Sequence, residues 1–128
     1  MRILLDTRVL LWAAGEPKRL SRKARALIDA TENLLVFSAA SLWEVVIKNQ
    51  LGRQDFRVDA RALRRGLLDH GYEELSIASE HVVAVEQLPP LHKDPFDRLL
   101  IAQAIAEGIT LVTSDENVAK YSAPIRLV

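Results

Sequence analysis

The chain has no cysteine, which excludes disulfides, thiolate nucleophiles and thiolate metal sites, and fits an intracellular setting. Glycine and proline are sparse, 5 of each, so no tract reads as a disordered linker. No apolar run reaches the length of a membrane span, and the first residues lack the apolar core and cleavage site of a signal peptide. A cytoplasmic protein with no membrane contact is therefore expected. The glycine-rich phosphate loop GxxxxGK[ST] and the dinucleotide fingerprint GxGxxG are both missing. The three histidines, His70, His81 and His92, are scattered and read as surface or structural residues, and no Ser/His/Asp arrangement stands out.

What is present is apolar content. Hydrophobic residues make up 49% of 128, enough for one domain, 1–128, with a substantial core. Short apolar runs alternate with helical stretches. Ile3–Leu5, Leu34–Phe37, Glu74–Ile77, Ile109–Val112 and Ile125–Val128 read as strands, the third of them weakly. Helices are expected over Val9–Ala14, from Ser21 to Ala30, from Ser38 to about Gly52, from Asp59 to His70, over Ser79–Gln87, from Asp94 to Glu107, and over Asp115–Lys120. Asp94-Pro95 is a strong start, an N-cap acid before proline at the first helical position. The helix that follows is apolar nearly all round and should be largely buried. Strands alternating with helices predict an α/β fold, a mainly parallel sheet flanked by helices.

The zero net charge conceals an asymmetry. Residues 1–65 hold 13 Lys and Arg against 7 Asp and Glu, whereas residues 66–128 hold 4 against 10. The basic residues concentrate in Lys18, Arg19, Arg22, Lys23, Arg25 and in Arg53, Arg57, Arg61, Arg64, Arg65. The second group recurs at helical spacing and would share a face suited to phosphates, or be a solvated face with Asp55 and Asp59 as local partners.

Four acids occupy telling places. Asp6 follows a buried strand run, where ligands gather in open α/β sheets. Asp97 lies in the first turn of a helix, Asp115 follows a strand, and Glu44 sits on an otherwise apolar helix in a stripe with Ser41 and Lys48. Each has an ordinary explanation: a helix cap for Asp6, an ion pair with Lys48 for Glu44, a capping box for Asp97, and a helix dipole for Asp115. Together they would crowd one sheet edge. Crowded carboxylates repel unless a cation sits among them, and an acid-only cluster without His or Cys favours Mg2+ or Mn2+ over Zn2+. Such ions activate water and neutralise charge on a phosphodiester, so phosphodiester hydrolysis is the expected chemistry.

Four segments, ILLDTRVLLWAAG, SAASLWEVVIKNQLG, LPPLHKDPFDRLLIAQAIAEG and LVTSDENVAKY, carry a resemblance over nearly the whole chain. They resemble PIN-domain ribonucleases, and most of all the VapC toxins of bacterial type II toxin–antitoxin systems. The resemblance implies a PIN-like three-layer α/β/α sandwich with a mainly parallel central sheet. It matches Asp6, Glu44, Asp97 and Asp115 to the family's acidic quartet, with Asp6, Asp97 and Asp115 as the main metal ligands and Glu44 orienting the attacking water. Thr7 and Ser114 match small hydroxyl residues beside the first and last acids, and Asp94 an acid of the DPFD signature, read as a cap. It further implies an RNA substrate, a cognate antitoxin that covers the active site, and a toxin homodimer. The chain departs from the pattern at Arg8, where many such members have histidine after Asp-Thr. A guanidinium cannot ligate metal, which leaves it to contact phosphate, to pair with Asp6 or Glu44, or to point outward. Trp12 and Trp43 read as core residues, or as an apolar surface for a partner peptide. The alternatives to a toxin are a PIN-fold RNA-processing nuclease without an antitoxin, marked by the lack of a small upstream reading frame, and a non-catalytic PIN-like binding module.

Overall fold

Strand residues alternate between two cores, and that alternation sets the layers. In the computed structural model, which describes residues 1–52 and 54–128, β1 (Arg2–Leu5) sends Leu4 to one face and Ile3 and Leu5 to the other, all three fully buried. Its neighbours β2 (Leu34–Ser38) and β4 (Thr110–Thr113) do the same. Val36 and Leu111 join Leu4, while Phe37 and Val112 join Ile3 and Leu5. The first face is covered chiefly by α6 (Pro95–Glu107) through Leu100, Ile101 and Ala104 and by α7 (Glu116–Ala119) through Val118. The second is covered by α1 (Thr7–Gly15) through Val9 and Leu10, by α2 (Arg22–Asp29) through Leu27 and Ile28, and by α4 (Ala60–Asp69) through Leu63 and Leu67.

Among the described residues the sheet has five strands in the order β3-β2-β1-β4-β5, with β3 at Glu73–Leu75 and β5 at Ile125–Leu127, and every pair is parallel. The three-layer α/β/α sandwich expected from the sequence is what forms. The chain builds outward from β1 to β2 and β3, then returns to β1's other edge with β4. A crevice opens at such a reversal, beyond the carboxyl ends of β1 and β4. Leu5 pairs with Val112 there, so the next residues of both strands, Asp6 and Thr113, stand side by side.

Caps fix most helix starts as read. Ser21 caps α2, Ser38 caps α3 (Ala39–Gln50), Asp59 caps α4 and Asp94 caps α6, each side-chain oxygen accepting a backbone N–H of the first turn. The first helix begins at Thr7 rather than Val9, because the Asp6 carboxylate accepts from the Val9 N–H at 2.9 Å and starts the helix earlier. The stretch Ser79–Gln87 is two pieces, α5 (Ser79–Ala84) and a 3-10 turn over Val85–Gln87. Helix α6 is less enclosed than its composition implies, since Ile105 is 47% exposed on its outer side.

Arg53 of the second basic group lies outside the described residues. Arg57 precedes α4, so only Arg61, Arg64 and Arg65 share that helix. Asp59 spends its carboxylate on the cap, and Arg64 instead makes a two-pronged contact with Glu74 at 2.8 and 3.2 Å.

Candidate active site

Asp6 follows β1 directly, inside the crevice, and is almost fully buried. Its Oδ1 accepts from the Val9 N–H, and its Oδ2 accepts from the Thr113 hydroxyl at 2.5 Å. Burial pushes the Asp6 carboxyl above the usual carboxylate range. The Thr113 hydroxyl, the Val9 N–H and the Arg8 charge oppose that rise, and the Glu44 charge adds to it. The same Thr113 oxygen accepts the Asp115 N–H at 3.0 Å, so one hydroxyl ties the two acids at the ends of adjacent strands. Asp115 then caps α7, accepting from Asn117 at 2.7 Å.

Helix α3 delivers Glu44. Ser38 caps the helix, Ser41 packs beneath Thr7 with the Thr7 hydroxyl donating to it at 2.9 Å, and Glu44 follows one turn later. Glu44 is buried. Its Oε2 meets the Lys48 ammonium at 2.9 Å, while Oε1 is buried with no hydrogen-bond partner among the described residues. The ordinary explanation from the sequence, an ion pair with Lys48, thus covers one oxygen and leaves the other.

Helix α6 delivers Asp97, and here the ordinary explanation does not hold. No capping box forms. Asp94 alone holds the helix start, accepting from Phe96 and Asp97, and the Asp97 carboxylate turns into the cleft to meet His92 Nε2 at 2.7 Å. Burial drives the Asp97 carboxyl up to about 6, against the pull of the His92 bond and with help from the charges of Asp94, Asp6 and Glu44.

His92 therefore lines the cleft beside these acids. Its Nε2 also stands 3.9 Å from Asp115 Oδ2, and its backbone N–H donates to the buried Tyr121 hydroxyl at 3.0 Å. One potential ligand atom from each of His92, Asp97 and Asp115 lies within 4.8 Å of the others, and Asp6 and Glu44 stand outside that tight set. The signal was available, a histidine two residues before the helix-starting Asp94-Pro95, but spacing alone did not say that the loop would fold back over the crevice. Thr113 was missed for a simpler reason: a threonine at the end of a strand looks like any β-branched strand residue.

All four predicted acids line one cleft of about 1090 Å³, together with Thr7, Arg8 and Ser114. Arg8 is exposed at its rim, and among the described residues its guanidinium pairs with neither Asp6 nor Glu44. The Ser114 hydroxyl is buried without a hydrogen-bond partner among the described residues. Trp12 is half-buried in the wall with the Arg19 guanidinium over its ring at 5.3 Å, whereas Trp43 is 55% exposed and is not a core residue. His81, by contrast, is buried away from this cleft and bonds Glu107 at 2.9 Å.

The donor set fits a hard divalent cation. Several carboxylates converge, the charge of one raises the pKa of another, and a buried Glu44 oxygen has no donor among the described residues. No helix among the described residues is long and apolar enough to cross a membrane.

Known proteins share this architecture. A family model described as PIN domain matches residues 3–124. Ribonuclease VapC22 of Mycobacterium tuberculosis is 30% identical over 122 residues, covering 95% of this chain and 93% of that protein. Among solved structures, VapBC2 from Rickettsia felis bound to a DNA fragment from its promoter superposes with a TM-score of 0.73 at 16% identity, over 100% of this chain and 99% of that one. VapBC-5 of the VapBC family of toxin–antitoxin systems, from Mycobacterium tuberculosis, gives 0.65 at 16% identity, over 99% and 97%. At those identities the two structures speak to the fold alone.

Proposed function

The chain belongs to the PIN domain family, in its VapC group, and from that premise we propose that it is the toxin of a type II toxin–antitoxin pair, a Mg2+- or Mn2+-dependent endoribonuclease. The observation that carries this reading is the meeting of Asp6, Glu44, Asp97 and Asp115 on one cleft at the reversal of the sheet. Asp6, Asp97 and Asp115 are the residues to hold the ion, with Glu44 completing the set. A divalent ion bound there supplies positive charge for the phosphate oxygens and makes water a stronger nucleophile near neutral pH.

The remaining work falls to the protein's own groups. Glu44 Oε1 is the acceptor with no other commitment, and it orients the attacking water and takes its proton. Lys48 holds the other Glu44 oxygen in place. Thr113 and the Val9 N–H keep the Asp6 carboxylate in one orientation, so the site is set before RNA arrives. Arg8 at the rim meets substrate phosphate, and Arg19 and Arg57, which also line the cleft, draw RNA inward.

The name of the mycobacterial relative supports ribonuclease activity, and the toxin–antitoxin assemblies among the fold neighbours support a cognate antitoxin. Half-buried Trp12 in the cleft wall offers an amphipathic antitoxin helix an apolar seat, from which a basic side chain reaches the acids, and exposed Trp43 on α3 offers a further apolar contact. A toxin homodimer completes the assembly. Brief induction of the wild-type chain and of Asp6→Asn, with transcriptome-wide mapping of new 5′ ends, tests the function. New ends and growth arrest are expected from the wild type alone. A harmless wild type with no protein partner from a neighbouring gene favours an RNA-processing nuclease instead.

A further inference from the structure

The acids of the cleft are supplemented by a nitrogen. His92 Nε2 is 2.7 Å from Asp97 Oδ2 and 3.9 Å from Asp115 Oδ2. Around an octahedral ion with ligands at about 2.1 Å, neighbouring donors stand about 3.0 Å apart and opposite donors about 4.2 Å apart. In the metal-free chain the shorter separation is a hydrogen bond, so ligation requires the ring proton to sit on Nδ1 and Nε2 to turn its lone pair to the ion; the two separations are of about the sizes such an ion spans. The loop bearing His92 is also fixed from outside the cluster, through its N–H to the buried Tyr121 hydroxyl. Nearby, the orphaned Glu44 oxygen and the unpartnered, buried Ser114 hydroxyl are polar groups that the protein itself leaves unsatisfied.

We propose that His92 ligates the metal directly through Nε2, making this centre a mixed nitrogen–oxygen site with Asp97 and Asp115 that discriminates against Mg2+ in favour of first-row transition ions. The inference rests on the ribonuclease reading for the presence of a metal, but its claim concerns the ligand. Imidazole binds transition ions better than it binds Mg2+, which prefers oxygen and retains its waters. A purely acidic cluster lacks that bias.

The rival role for His92 is a hydrogen-bond donor that only orients Asp97. Glutamine separates the two, since its amide can donate to Asp97 but brings no imidazole nitrogen. The purified full chain is loaded with Mn2+ and examined by pulsed electron paramagnetic resonance for nitrogen-14 coupling, and Co2+ and Mg2+ binding are measured by calorimetry. Wild type and His70→Gln, which removes the other histidine lining the cleft, are expected to show the coupling; His92→Gln is expected to lose it. His92→Gln should weaken Co2+ binding about tenfold or more and Mg2+ binding less than about threefold.

Wild-type Mn2+ bound without nitrogen coupling overturns the proposal and leaves the acidic metal site standing, as does coupling that survives in His92→Gln. If Asp97→Asn binds Mn2+ as tightly as the wild type, the ion is elsewhere and both readings fall. Because the wild-type spectrum answers the main question, misfolding of a variant does not shelter the proposal.

Discussion

In the metal-free protein, Asp97→Asn should stabilise the fold. The Asp97 carboxyl is raised from 3.8 to about 6, chiefly by burial, and its side chain is 19% exposed. The sign follows from proton binding: the folded state holds this proton more tightly than the unfolded state does. Stability contributed by the protonated acid is therefore complete below about pH 4 and falls as pH rises to about 6. A shift of about two pKa units corresponds to about 3 kcal/mol, and residual solvent with the His92 contact reduces that to about 1–3 kcal/mol. Asparagine removes the charge and keeps an oxygen to accept from His92. Urea unfolding in EDTA at half-unit steps from pH 4 to 8 measures it. The two proteins should be nearly equal at pH 4, and the variant more stable by about 1–3 kcal/mol at pH 7 and above. A variant less stable than wild type at pH 7, or a difference independent of pH, would refute the claim that burial penalises the ionised Asp97 carboxylate more than His92 offsets it.

Other substitutions probe the parts around it. Thr113→Val removes the donor to buried Asp6 Oδ2 and the acceptor of the Asp115 N–H, so urea unfolding at pH 8 should show a loss of about 1–3 kcal/mol. Arg8→Ala should lower the slope of log affinity against log salt for a non-cleaved RNA by about one phosphate contact; an identical slope assigns the guanidinium to solvent. Gly108 ends α6 at φ 65 with open space where a Cβ would lie, so Gly108→Ala should cost only the conformational penalty, about 1 kcal/mol in thermal unfolding.

The sequence exposes this fold unusually well because its punctuation is strong. Ser21, Ser38, Asp59 and Asp94 mark helix starts by local side-chain chemistry, and the apolar runs at Ile3–Leu5, Leu34–Phe37 and Ile109–Val112 supply the three central strands. The same reasoning placed Asp6 and Asp115 at strand ends of one sheet, and their meeting follows from β1 pairing with β4. Glu44 was legible as an acid on an apolar helix, though only the structure shows that Lys48 satisfies one oxygen and not the other. His92 was legible only as a histidine close before a helix start, because its place in the cleft depends on a loop pinned by Tyr121 from a segment 29 residues away. Nor was the exposure of Trp43, because a tryptophan on a helix reads as core until the helix is docked.

The central claim is that this cleft cleaves RNA with a bound divalent ion, and it is tested most directly with the purified chain, an end-labelled RNA and the metal as the only variable. Internal cleavage is expected with Mn2+ or Mg2+, none in EDTA, recovery on adding the ion back, and none from Asp6→Asn or Asp97→Asn at any metal concentration. Undiminished cleavage in EDTA, or by either asparagine variant, would contradict it.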